Sequence, residues 1–180
     1  MVNGGVVELG TGGASSRPGF LRAFIDGGDA SAEARGALLY VDTATRRTLT
    51  WSADVRIQKR PRDGGAEILE ITDLATNWYF SINLLSDRDQ VFEDRFLPDG
   101  SFVVNTTPMG VTIPIGSWHR VAFRLDWSNK KFDVSVDGTS AADGPLIYAA
   151  DSAKLQLAVG ISYARDFGAV VDFDNGVATE

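Results

Sequence analysis

Hydrophobic and polar residues alternate with a period of two along much of this chain, most regularly between residues 116 and 138. From Val121 to Trp127 every second residue is apolar, whereas Arg120, Arg124 and Asp126 occupy the intervening positions. After a Ser-Asn-Lys turn, residues 132, 134 and 136 are again apolar. Because successive side chains of a strand point to opposite faces, this pattern predicts a β-hairpin with one buried face.

The same alternation recurs along the rest of the chain, and turn residues separate its segments. Besides the hairpin, strands are predicted at residues 20–25, 49–59, 67–72, 77–85, 90–96, 102–106, 111–115, 154–163 and 169–175. Residues 61–65 and 98–100 carry the Pro, Asp and Gly of turns, and residues 31–35 are predicted as one helical turn. Many short strands without a long helix predict an all-β fold, an antiparallel jelly-roll β-sandwich.

The hairpin also carries a sequence signature. Residues 116–121 read G-S-W-H-R-V, and residues 136–138 read V-D-G. This stretch resembles the W-H-x-V hairpin of concanavalin A-like sandwiches, which include laminin-G-like and pentraxin-like modules and the laminarinase/lichenase glycosidases. The resemblance extends from Leu49 to the C-terminus and implies a concanavalin A-like fold. The stretch from Ala169 to Asn175 resembles the closing strand of such sandwiches, which pairs near the first strand.

Length and composition define the expected organisation. Residues 1–18 are rich in Gly, Ser and Thr and are predicted to be a flexible lead-in, with a single domain over residues 19–180. We expect a leader to have been removed, which predicts a secreted, periplasmic or cell-surface protein. No apolar run is long enough for a membrane-spanning helix.

Charge and cysteine content exclude several functions. The formal net charge is −7, from 24 acidic and 17 basic residues, which argues against binding to the phosphates of nucleic acids. The chain has no cysteine, so disulfides, thiolate catalysis and iron–sulfur clusters are excluded. A single histidine also excludes a His-rich metal site.

Catalytic motifs of this fold are incomplete. Laminarinase-like enzymes place two carboxylates four residues apart on one strand, where alternation puts both on the same face. The comparable segment begins at Glu67, but Leu69 and Ile71 occupy the next two positions of that frame. Starting from Glu70 instead brings Thr72 and Leu74 into those positions. The motif therefore disfavours retaining glycosidase chemistry.

Histidine-based chemistry is also disfavoured. His119 follows Trp118 within the hairpin signature, and we interpret it as a partly buried, hydrogen-bonded residue at a strand end. The alginate-lyase branch of the fold needs a Q-x-H strand, and a serine nucleophile needs a G-x-S-x-G turn. Neither motif is present in the sequence.

Polar residues of the strands could instead bind a sugar. Aromatic rings and planar amide, carboxylate and guanidinium groups on a rigid sheet are the groups that recognise glycans. Taking the apolar positions as core, the candidate ligand-binding residues are Arg56, Glu70, Tyr79, Asn83, Arg124 and Asp126. We expect them to lie on one polar face; the other interpretation is a solvated face crossed by weak ion pairs.

The four tryptophans fall at the same alternating positions as the apolar residues of their strands. This predicts core positions for Trp51, Trp78, Trp118 and Trp127, with Trp127 at the hairpin end the first exception to expect.

Calcium is a common partner of this fold and needs oxygen ligands from converging loops. Asp26 and Asp29 follow the first predicted strand, and Asp174 lies in the last. If these strands pair, the three carboxylates could form a calcium site.

The sequence thus predicts a non-catalytic carbohydrate-binding or adhesion module whose partner is a polysaccharide or other glycan. Two alternatives stay open: a polysaccharide hydrolase or lyase of the same fold with an atypical site, and a structural module that binds protein. Whether the chain is an enzyme is left undecided. Two titratable groups meeting in a cleft would favour the enzyme, and a flat apolar face would favour the protein-binding module.

Overall fold

The computed structural model describes residues 2–3, 5–10, 20–25, 32–42, 48–62, 64–149, 154–164 and 168–179. The regular elements in these ranges are β-strands. In chain order they are β1 (Val2–Asn3), β2 (Gly5–Gly10), β3 (Phe20–Ile25), β4 (Ala32–Asp42), β5 (Thr48–Lys59), β6 (Ala66–Asp73), β7 (Trp78–Leu84), β8 (Asp89–Phe96), β9 (Phe102–Pro108), β10 (His119–Asp126), β11 (Lys131–Val136), β12 (Thr139–Pro145), β13 (Lys154–Ala164) and β14 (Ala169–Thr179).

The strands form two sheets of seven strands. Sheet A has the order β1-β4-β13-β6-β7-β8-β9, and sheet B has the order β12-β11-β10-β5-β14-β3-β2. Neighbouring strands in both sheets pair antiparallel. The predicted all-β antiparallel sandwich is therefore confirmed.

The core lies between the two sheets and is filled by alternate residues of strands that include β5, β7, β10 and β11. Phe80 of sheet A lies edge-on to Phe123 and Phe132 of sheet B, with ring centroids 5.3 Å apart in both pairs. Val121 and Phe123 are completely buried, and Val121 pairs with Val136 across the hairpin. The parity predicted for this hairpin is confirmed.

The last strand closes sheet B between β3 and β5. Phe173 pairs with Leu21 of β3 on one side and with Val55 of β5 on the other. The predicted pairing of the first and last strands is thus confirmed for Phe20–Ile25 and β14.

Three segments differ from the expected secondary structure. The strand predicted at residues 111–115 is wrong, because this stretch is irregular and only Ile115 pairs, in an isolated bridge with Ile57. The lead-in expected over residues 1–18 contains strands β1 and β2, because β2 pairs along its whole length with β3 and satisfies the backbone groups of both. Residues 11–19 lie outside the described residues. The helical turn expected at residues 31–35 is wrong, because Ala32 to Arg35 begin β4 and pair with β1 and β13.

Two of the four tryptophans are core residues. Trp51 and Trp78 are buried, whereas Trp127 is half-buried and packs against the edge of the core. Trp118 is half-buried and does not belong to the core; its ring lies edge-on to Phe20, with centroids 5.7 Å apart. Trp118 precedes β10, where strand parity no longer determines the direction of a side chain.

Candidate functional site

A β-bulge in β6 determines which side chains reach the outer surface of sheet A. The pairing of β6 shifts between Ile68 and Ile71, and Leu69 has a positive φ of 52°. Ile68, Leu69 and Ile71 are all buried in the core. The extra inward residue breaks the strict alternation. Glu67 and Glu70, three residues apart, consequently both project from the outer side of the sheet.

The outward side chains of the central strands form a surface that we call the sheet A face. Its members are Glu67, Glu70, Thr72, Tyr79, Ser81, Asn83, Gln90, Phe92, Asp94 and Gln156. One row crosses the strands as Gln156–Thr72–Tyr79–Asp94, and another as Glu67–Asn83–Gln90.

Hydrogen bonds hold the carboxylates of this face in place. Thr72 donates its hydroxyl to Glu70 Oε1 at 2.5 Å, and Ser81 donates to Glu67 Oε2 at 3.0 Å. Glu70, Thr72 and Ser81 are buried although they face away from the core. The centre of the face is therefore an ordered polar surface that is largely shielded from water.

Asp94 has the most perturbed acidity on this face. Burial, together with the nearby charges of Glu70 and Glu93, raises the pKa of Asp94 from 3.8 to about 7. Its Oδ1 atom is shielded from solvent and has no hydrogen-bond partner. A carboxyl group that titrates near neutral pH can donate or accept a proton, which makes Asp94 the main candidate for acid–base chemistry here.

A cleft of about 560 Å³ opens at one end of the sheet A face. Glu67, Asn83 and Phe92 form its sheet side, and Arg62 and Arg88 contribute from two adjacent turns. The Oδ1 atom of Asn83 has no hydrogen-bond partner. Carboxylate, amide, aromatic and guanidinium groups thus converge in one cleft of a size that is typical of ligand sites.

Aromatic side chains lie at the opposite end of the face, and we call Tyr79, Phe96 and Phe102 the aromatic strip. The ring centroids of Tyr79 and Phe96 are 5.8 Å apart, and those of Phe96 and Phe102 are also 5.8 Å apart. Phe96 and Phe102 are 45% and 58% exposed. These rings present a continuous apolar surface to solvent.

The outer surface of sheet B contains a different arrangement, centred on the fully buried Asp172. Arg22 binds this carboxylate through two nitrogens, at 2.6 and 3.0 Å, and Arg56 and Gln58 each donate to it at 2.9 Å. Burial alone would raise the pKa of Asp172, but hydrogen bonds from Arg22, Gln58 and Arg56 outweigh it and hold that pKa below its ordinary value. Arg56 also lies 4.6 Å from the ring centroid of Trp118.

A second cleft, of about 840 Å³, lies at the far end of sheet B. Arg124 and Asp126 line it together with Lys130 and Asp133. Asp126 accepts hydrogen bonds from the side-chain amide and backbone of Asn129, which lower its pKa. These bonds fix the hairpin turn and leave the exposed Arg124 as the more accessible group.

The structure divides the candidate ligand-binding residues between the two sheets. Glu70, Tyr79 and Asn83 lie on the sheet A face, whereas Arg56, Arg124 and Asp126 lie on the outer surface of sheet B. The expectation of a single polar face is therefore corrected, because the two surfaces lie on opposite sides of a sandwich whose sheets are about 10 Å apart.

The residues of sheet B are themselves divided. Arg124 pairs with Thr50 in β5, six positions away from Arg56, a distance of about 20 Å along the strand. Arg56 therefore does not join Arg124 and Asp126 in the second cleft.

Sequence reasoning did not select Asp94, Phe96 or Phe102. Asp94 and Phe96 share the parity of Phe92 in β8, and Phe96 pairs directly with Phe102 in β9. An aromatic residue on the polar side of an alternating strand was therefore the available signal.

His119 joins the two strands of the hairpin. Its Nδ1 atom lies 2.7 Å from Asp137 Oδ2, and its Nε2 atom lies 2.8 Å from Ser117 Oγ. This is the connectivity of a Ser–His–acid triad, but Asp137 also accepts the backbone N–H of Arg120. Hydrogen bonds from His119 and Arg120 lower the pKa of Asp137. The group ties the start of β10 to the turn after β11, which confirms the prediction of a hydrogen-bonded residue at a strand end.

Of the proposed calcium ligands, Asp26 and Asp29 lie outside the described residues. Asp174 is half-buried in β14 and accepts the backbone N–H of Asn175. Ile25, which precedes Asp26, pairs with Ala169, five positions before Asp174. Within the described ranges no three His, Asp or Glu side chains are grouped as metal ligands.

Over the described part of the chain, no helix has the length and apolarity needed to cross a membrane.

Comparisons with known proteins give matches in structure alone. No protein-family model matches the chain, and no curated protein matches it in sequence. Its fold is similar to an endo-β-1,4-glucuronan lyase from the fungus Trichoderma reesei, with a TM-score of 0.69 and 14% identity over 98% of this chain and 87% of that one. It is similar to Cip1, a cellulose-induced protein, with a TM-score of 0.70 and 15% identity over 99% and 87% of the two chains.

A third similar structure is the alginate lyase AlyA1 from Zobellia galactanivorans, with a TM-score of 0.52 and 12% identity over 89% of this chain and 77% of that one. At these identities the likeness is one of fold. The predicted jelly-roll β-sandwich is confirmed, and the solved structures that share it include carbohydrate-active proteins.

Proposed function

We propose that this domain binds a polysaccharide on the sheet A face, with the cleft at Asn83 as its principal site, and needs no catalysis of its own. The observation that carries the proposal is the composition of that cleft. Phe92 supplies an aromatic ring, Asn83 an amide, Glu67 a carboxylate, and Arg62 and Arg88 guanidinium groups. Such groups on a rigid sheet can hydrogen-bond sugar hydroxyls and contact the apolar faces of sugar rings.

The ordering of the face supports the same function. Ser81 and Thr72 fix the carboxylates of Glu67 and Glu70 through hydrogen bonds within the sheet. A polar surface that is already ordered loses little conformational entropy when it binds a ligand. The jelly-roll proteins of similar fold include a glucuronan lyase and an alginate lyase, which favours a glycan as the partner.

Three further parts of the proposal follow from the sequence. We infer membership of the concanavalin A-like superfamily from the W-H-x-V hairpin and the sandwich. A secreted, periplasmic or cell-surface location would bring the domain to its polysaccharide. A calcium ion with Asp26, Asp29 and Asp174 as its carboxylate ligands is the third part of the proposal.

The test begins with a polysaccharide and glycan-array screen of the purified protein, with calcium and with chelator, beside a reducing-end assay on the same polymers. Binding without product is expected. Loss of binding in chelator would support the calcium site, and equal binding in both buffers would remove it.

Two variants then locate the site by titration calorimetry with the best ligand. Asn83→Ala should weaken binding about tenfold or more, and Arg124→Ala in the second cleft should leave the Kd within about twofold. The opposite result would move the site to sheet B, to Arg124 and Asp126. Failure to bind any polysaccharide in the screen would refute the proposal.

A polysaccharide-cleaving enzyme is the second candidate, and the acidity of Asp94 favours it. In a lyase, a base removes the proton next to a uronate carboxylate, the bond to the glycosidic oxygen breaks, and that oxygen takes up a proton, leaving a carbon–carbon double bond. A carboxyl with a pKa of about 7 can take either role near neutral pH. Ultraviolet-absorbing product from the wild type, lost in Asp94→Asn with binding retained, would establish this function; no product from the wild type would exclude it.

A further inference from the structure

The aromatic strip exposes large apolar side chains to solvent at the edge of sheet A. Phe96 and Phe102 are directly opposite each other in β8 and β9, and both project outward at the edge of sheet A. Val104, the next outward residue of β9, is 38% exposed. Large apolar side chains that cluster in solvent, instead of lying singly, indicate a binding surface.

The strip and the cleft are two ends of the same face. The outward residues of β8 run from Phe92, which lines the cleft, through Asp94 to Phe96. Four residues of an extended strand cover about 13 Å. Tyr79 pairs with Asp94 across β7 and β8, so a hydroxyl and a carboxyl group lie between the cleft and the two phenylalanines.

We propose that the aromatic strip is a stacking subsite for a β-1,4-linked polysaccharide chain whose polar contacts lie at Asp94 and in the cleft. This inference rests on the proposed function and specifies its ligand class. Aromatic rings contact the C–H faces of pyranose rings, whose equatorial hydroxyls lie close to the mean plane of the sugar. In β-1,4-linked chains of glucose or mannose configuration the bonds at C1 and C4 are both equatorial, so successive rings form a flat ribbon with a continuous apolar face.

The geometry of the strip fits a ribbon better than a coiled chain. Phe96 and Phe102 are inclined to each other by 36°, so their ring planes are closer to parallel than to perpendicular, whereas the ring of Tyr79 stands at 80° to that of Phe96. An α-1,4-linked chain curves into a helix and would contact one of these rings at a time. The strip therefore selects for linkage, whereas the cleft selects for the substituents of the sugar.

The test compares hexasaccharides of defined linkage by titration calorimetry: β-1,4-linked glucose, mannose and glucuronic acid, and α-1,4-linked glucose. At least one β-1,4-linked hexamer should bind about tenfold more tightly than the α-1,4-linked one. Phe96→Ala and Phe102→Ala should each weaken that binding about tenfold. Val177→Ala, which truncates a residue 44% exposed on β14 of sheet B, is the matched control and should change nothing.

The possible failures separate the two proposals. If Asn83→Ala weakens binding and the two phenylalanine variants do not, the strip is not a subsite and the polysaccharide function stands. Preference for the α-1,4-linked hexamer would also overturn the ligand class. If the wild type binds no hexamer and no polysaccharide of the screen, both proposals fail; sedimentation that shows self-association lost in Phe102→Ala would then assign the strip to contacts between copies of the chain.

Discussion

Gly65 and Asn83 are mutually dependent: a β-carbon placed on Gly65 would lie 1.9 Å from Asn83 Oδ1 and 2.7 Å from its Cγ. Gly65 precedes β6, and Asn83 lies opposite Glu67 in β7. The absence of a side chain at residue 65 therefore provides the space in which the Asn83 amide lies at the cleft.

We predict that Gly65→Ala displaces the Asn83 amide and weakens polysaccharide binding about as much as Asn83→Ala. Only the end of a polar side chain has to move, so the free energy of unfolding should fall by no more than about 1 kcal/mol. Calorimetric binding and thermal melting measure the two effects. Gly64→Ala is the complementary control. The φ of Gly64 is 73°, which disfavours a β-carbon, so this variant should lower the free energy of unfolding more than Gly65→Ala does. Unchanged binding by Gly65→Ala would show that the position of the amide is irrelevant.

The second prediction concerns pH. Because the pKa of Asp94 is about 7 in the folded protein and ordinarily 3.8, the folded state binds a proton between these values that the unfolded state has lost. The contribution of Asp94 to stability is therefore fully present below about pH 4 and is lost as the pH rises through about 7.

Asp94→Asn should remove this pH-dependent loss of stability, because an amide does not titrate. At pH 8 the variant should be more stable than the wild type by about 1–2 kcal/mol. The pKa shift of Asp94 would correspond to ~4 kcal/mol if the carboxyl were fully desolvated, and the expected difference is smaller because Asp94 is partly solvated. Urea unfolding at pH 5 and pH 8 measures the difference between the two proteins. A difference that does not change with pH would contradict the shifted acidity.

The third prediction tests the core. Phe123 is completely buried and lies edge-on to Phe80, so Phe123→Ala should lower the free energy of unfolding by about 3–5 kcal/mol. Val121→Ala removes less volume and should cost about 2 kcal/mol. Phe102→Ala removes the same ring from an exposed site and should cost less than about 1 kcal/mol. Equal melting temperatures for Phe123→Ala and Phe102→Ala would refute the inward orientation of Phe123.

The fourth prediction concerns Asp172, which holds Arg22 and Arg56 against sheet B. Asp172→Ala leaves both guanidinium groups without their shared partner and should destabilise the protein by about 3 kcal/mol. Since the pKa of Asp172 is lowered in the folded state, its contribution is present at neutral pH and is lost in acid as the carboxylate takes up a proton. Asp87→Ala, in an exposed pair with Arg88 at 3.7 Å, is the control and should change stability by less than about 0.5 kcal/mol. Similar acid unfolding of both variants would show that the buried carboxylate does not stabilise the sheet.

The fold could be predicted because the inner face of a sandwich imposes a period of two on every regular strand. Val121, Phe123 and Val134 carry that period without interruption, and the structure buries all three. The pairing of the first and last strands followed from the resemblance of the closing strand, and the structure places β14 beside β3.

The site was less predictable because it depends on which sheet a strand joins. Alternation shows that Arg56 and Tyr79 share the outward parity of their strands, but parity is the same on both sheets. The order β10-β5-β14 in one sheet and β6-β7-β8 in the other is set by long-range pairing. Trp118 shows the related limit at a strand end, where its ring lies against Arg56 and not in the core.

Asp94 was missed for another reason. The sequence alone gives no reason to expect an altered pKa for an aspartate in an alternating strand, because the groups that alter it are not known. Glu70 comes from a different strand, β6, and Glu93 precedes Asp94 in β8. Its acidity is a property of the assembled sheet, whose packing removes water from the carboxyl.

The single additional residue at Leu69 has a consequence for how related chains are compared. If Leu69 were deleted, the strand would regain uniform alternation, and Glu67 and Glu70, now two positions apart, would both still face outward. Glu67 and Glu70 can thus share this surface at a spacing of three residues with the bulge, or at a spacing of two without it. A relative that carries both glutamates but is one residue shorter here would present the same surface from a regular strand, and an alignment without a gap at residue 69 would miss the correspondence.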